Sequence, residues 1–134
     1  LPDDVAIFSA AVADFKVIEK NDVKIKKKDE LTIKLEKNVD ILNYISNHNS
    51  MRPKLVIGFA AETNNLEDNA IEKLKNKNCD MIIANDVSDK NIGFDSDFNE
   101  VTIFYRNNKK EKLFVKNKSL ISEEIVERVN DKLN

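Results

Sequence analysis

An acid and a group of lysines near the start of the chain have the types and spacing needed to bind a phosphorylated ligand. Asp14 follows a predicted buried strand over residues 4–11, and a lysine cluster at residues 24–28 comes after it. A carboxylate suits a divalent metal, and ammonium groups suit phosphate oxygens. Open α/β sheets bind ligands at the carboxyl ends of their strands. The pattern predicts a nucleotide or phosphate site, although a helix-capping acid and a solvated lysine loop would give the same residues.

Two further lysines lie on a predicted helix. Apolar residues at i, i+4 and i+8 from Leu66 predict an amphipathic helix over residues 66–76. Lys73 and Lys77 are four residues apart, so they project from one helix face, with Glu72 beside that face. Like charges at this spacing repel each other slightly, which a bound phosphate would offset. An ordinary solvated helix face is the alternative interpretation.

Polar residues also follow the predicted strands. The apolar runs at residues 55–61 and 81–84 are typical of buried strands. Phe59, inside the first run, is either a core residue or a platform for a base. The strand ends carry Asp14, Glu62, Thr63, Asn85 and Asp86. Because the carboxyl ends of parallel strands share one sheet edge, these residues predict a polar rim there.

The order of elements predicts an α/β fold with a Rossmann-like, mostly parallel sheet in one domain over residues 1–134. The apolar run at residues 5–11 predicts a central strand, covered on both faces. Residues 16–30 predict a mobile loop, and residues 31–35 predict a half-exposed strand. A helix is predicted at 41–47, capped by Asp40, with an apolar face of Ile41, Leu42 and Ile45. Residues 101–105 and 112–115 predict a hairpin, and a last helix begins near Ser119 with an apolar stripe of Ile121, Ile125, Val129 and Leu133. Three parallel strands make a thin sheet, so we expect an N-terminal strand–helix portion to be absent.

Composition narrows the function classes. Hydrophobic residues make up 41% and charged residues 34% of the chain, as in soluble globular domains. The net charge of −2 disfavours general nucleic-acid binding. No apolar run is long enough to span a membrane. The single cysteine, Cys79, forms no intrachain disulfide, fits a reducing cytoplasmic compartment and predicts a small buried residue. Only two glycines are present, which excludes the common glycine-rich phosphate loops.

Several segments, in order, resemble phosphopantothenate–cysteine ligase, the ligase half of a bifunctional bacterial protein of coenzyme A biosynthesis. They are SAAVADFK, KIKK, NVDIL, GFAAETNN, ANDVS and GFDSD. The resemblance implies that CTP activates the carboxylate of 4′-phosphopantothenate as an acyl-cytidylate, with release of pyrophosphate. L-Cysteine then displaces CMP. It further implies Mg²⁺, and a homodimer formed through an arm that includes residues 31–38.

The resemblance also implies the residues of the site. Carried over position by position, the CTP-binding residues are Ala10, Ala11, Asp14, Lys24, Val39, Asp40, Ile41, Leu42, Phe59, Lys73 and Lys77. Asp14 would also bind the metal. Lys24 would be the catalytic lysine, since its charge would stabilise the negative charge that develops during nucleotidyl transfer. Val39 replaces a frequent proline and Phe15 a frequent tyrosine, both at tolerant positions.

Two other function classes stay open beside the ligase. The first is a non-catalytic α/β module whose lysines bind another nucleotide or form a subunit interface. Preference for CTP over ATP would separate this module from the ligase. The second, a nucleic-acid binder, is disfavoured by the acidic pI near 5.5 and by the lack of aromatic residues among the clustered lysines.

Overall fold

The computed structural model describes residues 3–19, 23–24, 26, 30–88 and 96–134. In chain order its strands are β1 (Val5–Phe8), β2 (Phe15–Val17), β3 (Leu35–Lys37), β4 (Leu55–Glu62), β5 (Met81–Asp86), β6 (Phe98–Tyr105) and β7 (Lys110–Asn117). Its helices are α1 (Ile41–Ser46), α2 (Leu66–Asn76) and α3 (Lys118–Leu133). Ile25, residues 27–28 of the lysine cluster and the loop with Gly93 lie outside the described residues.

Five strands form a mixed sheet in the order β1-β4-β5-β6-β7. The strands β1, β4 and β5 are parallel, and β6 and β7 complete the sheet as an antiparallel hairpin. This confirms the predicted α/β fold. The hairpin strands are longer than their apolar residues indicate, because backbone pairing continues into polar residues at both ends.

The helices α2 and α3 form two apolar layers with the sheet. The helix α2 begins and ends where its stripe predicts, and Ala70 and Leu74 are buried against β4 and β5. The helix α3 buries Ile121, Ile125 and Val129 in the second apolar layer. The prediction for Leu133 is wrong, because this last helical residue is 40% exposed. Cys79 is fully buried, as predicted.

The strand β1 is not the central strand that its apolar run predicts. Among the described strands it lies at the sheet edge, and its pairing with β4 ends at Phe8 opposite Gly58. Ile7 is 47% exposed. The prediction failed because a continuous apolar run indicates a strand but does not show how many strands flank it.

A separate two-stranded ribbon replaces part of the predicted mobile loop. The strands β2 and β3 are antiparallel, with Phe15 opposite Lys37 and Val17 opposite Leu35. The half-exposed strand therefore begins at Leu35 rather than at residue 31. No helix covers this ribbon within the described residues, so apolar side chains such as Phe15 (52%) and Leu35 (54%) are exposed. The predicted role of this arm in forming a homodimer stays a prediction.

The short helix α1 begins after Asp40, which caps it as predicted by accepting a hydrogen bond from the Asn43 N–H at 2.8 Å. The predicted apolar face is wrong for Ile41, which is 49% exposed. Ser46 is buried instead, because its carbonyl accepts hydrogen bonds from Arg52 Nε and Asn78 Nδ2 at 2.8 and 2.9 Å. The carboxyl end of α1 is thereby attached to the chain segments that lead into β4 and β5.

Candidate ligand-binding site

The larger of two described cavities lies beyond the carboxyl end of β1 and has a volume of about 670 Å³. Ligand pockets commonly measure about 300–1,000 Å³, so this one has room for a nucleotide-sized molecule. Three parts of the chain form its walls: the segment after β1, the turn before α1, and one face of α2. Of the predicted CTP-binding residues, it is lined by Ala10, Asp14, Val39, Asp40, Ile41, Leu42, Phe59, Lys73 and Lys77.

Two hydrogen bonds hold the first two walls together. The Asn38 side chain donates to the Ala13 carbonyl at 2.7 Å, and the Asn38 N–H donates to the Asp14 carbonyl at 2.8 Å. The backbone bond extends the antiparallel pairing of β2 with β3 by one step, and the side-chain bond adds a second link beside it. Sequence reasoning missed Asn38, because its partners are distant in the chain and the ribbon was not predicted.

Lys77 and Asp40 form an ion pair between α2 and the start of α1. Partial burial alone would raise the pKa of Asp40. Its hydrogen bonds with Lys77 and with the Asn43 N–H, together with the positive charges of Lys77 and Lys73, outweigh burial and lower that pKa from 3.8. Asp40 is therefore ionised at neutral pH, and it neutralises the charge of Lys77.

Lys73 projects into the cavity from the same face of α2, as its spacing from Lys77 predicts. Its Nζ donates a hydrogen bond to the Phe59 carbonyl at 2.8 Å. The last pair of β1 with β4 is Phe8 with Gly58, so Phe59 lies just beyond the paired stretch. The end of β1 thus leaves a backbone acceptor at the point where Lys73 reaches β4. The half-buried Phe59 side chain forms part of the apolar wall.

Other polar residues of α2 share this wall. Glu72, predicted to lie beside the lysine face, also lines the cavity. It accepts a hydrogen bond from Asn76 Nδ2 at 3.2 Å. Asn69 also lines the cavity and donates to Glu62 at 2.9 Å. The signal for Asn69 and Asn76 was present in the sequence, since they lie four residues before Lys73 and three after it.

Two predicted residues do not line the cavity. Ala11 is exposed beside it, and Lys24 is exposed on the segment after the ribbon strand β2. The predicted rim of strand ends is also wrong as a single site. Glu62 and Asp86 are neighbours in the register of β4 and β5, but neither lines the cavity that contains Asp14. The reason is the early end of β1, after which the chain carries Asp14 towards the ribbon.

The carboxylates of the cavity do not form a preassembled metal site. Within the described ranges no cluster of three or more His, Cys, Asp or Glu residues could hold a metal ion. Mg²⁺ commonly binds through one or two carboxylates together with substrate phosphates. Asp14 is one such carboxylate on the wall of the cavity.

The fold and the cavity define the class of this protein: an α/β domain with a lysine-bearing cavity at the carboxyl end of a parallel strand. Residues 2–133 match the family described as DNA/pantothenate metabolism flavoprotein C-terminal domain. The chain belongs to this family. None of the described helices is long and apolar enough to cross a membrane.

Bifunctional proteins of coenzyme A biosynthesis are among the relatives of this chain. The chain is 43% identical over 128 residues to the coenzyme A biosynthesis bifunctional protein CoaBC of Haemophilus influenzae, and 40% identical over 127 residues to that of Bacillus subtilis. Each match covers about 95% of this chain, but the chain spans only 31% of either relative. A crystal structure of a CoaBC C-terminal domain superposes with a TM-score of 0.73 at 33% identity, covering 97% of this chain and 55% of that domain.

Proposed function

We propose that this chain forms the CTP-binding part of a phosphopantothenate–cysteine ligase. The observation that carries the proposal is the cavity wall formed by α2, in which Lys73 and Lys77 face the segment with Asp14. The similarity to bifunctional coenzyme A biosynthesis proteins supports the same conclusion. The reaction joins 4′-phosphopantothenate to L-cysteine through an acyl-cytidylate.

The chemistry assigns a role to each wall. Lys73 and Lys77 bind the triphosphate, for which Lys77 exchanges its ion pair with Asp40 for a contact with phosphate. The backbone at Ala10 and Ala11 contacts the cytidine, and Phe59 lies along the base. The turn of residues 39–42 closes the opposite side. Asp14, together with the phosphates, would hold a Mg²⁺ ion, which would supply positive charge where pyrophosphate leaves.

The first half-reaction is a nucleotidyl transfer and the second is an acyl transfer. A carboxylate oxygen of 4′-phosphopantothenate attacks the α-phosphorus of CTP, and the bond to pyrophosphate breaks. The amine of L-cysteine then attacks the activated carbonyl, loses a proton and expels CMP. We assign Lys24 to stabilising the charge that develops in this sequence. Since Lys24 does not line the cavity, the role requires it to approach the bound nucleotide.

Calorimetric titration of the chain with CTP and with ATP, each with Mg²⁺, tests the nucleotide site. We expect CTP to bind more tightly than ATP, and Lys73→Ala or Lys77→Ala to weaken CTP binding about tenfold or more, the loss expected for a charged hydrogen bond. Lys116→Ala is the matched control for Lys77, because Lys116 is equally exposed and is paired with Glu124 away from the cavity. Equal affinity for CTP and ATP would favour the non-catalytic module, and unchanged CTP binding in both variants would remove these lysines from the site.

A further inference from the structure

A second groove lies on the opposite side of α2, between this helix and the hairpin of β6 with β7. Its volume is about 260 Å³. The helix contributes Glu67, Ile71, Leu74 and Lys75 to it, whereas Lys73 and Lys77 face the first cavity. The two sites therefore share a helix but none of its side chains.

The floor of this groove is apolar. Leu74 and Phe104 are almost completely buried beneath it, and Ile71 is half-buried at its side. Cys79 is fully buried. Burial, followed by the nearby charge of Asp80, raises the pKa of the Cys79 thiol to about 11. The thiol is therefore neutral and serves as a small apolar group rather than as a nucleophile.

The rim of the groove is cationic, although the chain as a whole is acidic. It carries Lys75, Arg106, Lys109 and Lys110, of which Arg106 is paired with Asp80 at 2.8 Å. Glu67 is already paired with Lys110 at 2.7 Å. Within the described residues no carboxylate lies within salt-bridge distance of Lys75 or Lys109, and both are exposed. Excess positive charge above an apolar floor attracts an anion that carries an apolar group.

Hydrogen bonds of Arg106 hold the two walls of the groove in place. The Arg106 Nε donates to the Cys79 carbonyl at 2.9 Å and its Nη2 to the Asn78 carbonyl at 2.8 Å. Nε also lies 2.8 Å from the Asp80 carboxylate. Asn78 has a left-handed backbone with φ of 50°. These contacts tie the turn after α2 to the start of the hairpin turn, so the two walls keep a constant separation.

We propose that this groove is a second ligand site, for a small amphipathic anion consisting of a phosphate monoester on a single apolar ring. The volume of the groove limits the ligand to a molecule with one ring. Drug-sized molecules occupy pockets of about 300–1,000 Å³, and this groove is slightly smaller. The ring packs on Leu74 and Phe104, and the phosphate contacts Lys75 and Lys109. The proposal stands independently of the nucleotide site.

Phenyl phosphate is the test ligand, titrated into the ¹⁵N-labelled chain and followed by ¹H–¹⁵N spectra. We expect saturable shifts of the amides at residues 74–79 and 104–110. Phenol and inorganic phosphate are expected to bind at least about fivefold more weakly. Phenol lacks the phosphate group that contacts the lysines, and inorganic phosphate lacks the ring that packs on the apolar floor. The Lys75→Gln/Lys109→Gln variant should bind phenyl phosphate about fivefold more weakly, as expected for two exposed charge contacts.

The matched control is Lys34→Gln/Lys37→Gln, which removes the same charge from the exposed ribbon. It should bind phenyl phosphate like the unchanged chain. Unchanged affinity in the Lys75/Lys109 variant, shifts confined to the cavity around Lys73 and Lys77, or equally tight binding of inorganic phosphate would each overturn the proposal.

Discussion

Gly58 allows α1 to lie close to the sheet, and replacing it tests this arrangement. A Cβ at this position would lie 2.9 Å from Ile82 Cδ1 and 3.1 Å from Leu42 Cδ2. The first distance is shorter than real Cβ contacts, and the second is tight. Ile82 is fully buried, so its side chain has little space to move away. Leu42 belongs to α1, so displacing it shifts a wall of the larger cavity.

We expect Gly58→Ala to lower the free energy of unfolding by about 1–2 kcal/mol. Overpacking a well-packed core by one methyl group costs about 1–3 kcal/mol. Alanine also restricts the backbone of the unfolded chain, which stabilises the folded state by about 0.4–1 kcal/mol. The steric cost therefore exceeds the entropic gain. The shift of α1 should also weaken CTP binding if the proposed nucleotide site is correct.

Urea unfolding of four proteins checks the steric reasoning: the unchanged chain, Gly58→Ala, Ile82→Val, and the double variant. Ile82→Val alone should cost about 0.5–1.5 kcal/mol. It also removes the Cδ1 atom that the new Cβ would meet. The double variant should therefore lose less free energy of unfolding than the two single variants lose in total. A Gly58→Ala protein as stable as the unchanged chain, or strict additivity in the double variant, would refute the close packing described for Gly58.

Three further perturbations test other parts of the structure. In the full-length protein, Lys24→Ala should abolish ligation and leave the fold intact; turnover like that of the unchanged protein would remove the catalytic assignment. The pKa of Asp40 is lowered by folding, so its contribution to stability is present above pH 3.8 and is lost as the pH falls through the lower value of the folded state. Asp40→Asn keeps the helix cap. Its urea midpoint should therefore fall less between pH 5 and pH 2 than that of the unchanged chain. Burial, followed by the charge of Glu111, raises the pKa of Tyr105 from 10.0 to about 12. The stability that this group contributes should be lost as the pH rises from 10 through 12, and Tyr105→Phe should unfold with a shallower alkaline pH dependence.

Elements with one buried side could be predicted from the sequence. The apolar stripe of α2 predicted both ends of the helix. The stripe of α3 predicted all three of its buried residues, and it also included Leu133, which is exposed. The paired apolar runs around a polar turn gave the hairpin. In each case local periodicity reflects the same burial that stabilises the element.

Features that depend on distant pairing could not be predicted. The ribbon of β2 with β3 has no buried face in the described chain, so its apolar residues give no reliable period. Ser46 is buried because Arg52 and Asn78 bind its carbonyl, which no local pattern indicates. In the candidate site, helical spacing gave Lys73 and Lys77 their shared face. The link from Asn38 to Ala13 required a contact that only the folded chain forms.

The two edges of the main sheet differ in their protection against pairing with another molecule. The edge strand β7 carries Lys110, Lys112 and Lys116, and such charges oppose the addition of a foreign strand. The other edge, β1, consists of Val-Ala-Ile-Phe, has no charge and pairs with no described strand on its outer side. An uncharged apolar edge is a template for aggregation. In concentrated solution we therefore expect this chain to associate through β1 and not through β7, so that a lysine introduced into β1 would improve its solubility more than one added to the hairpin.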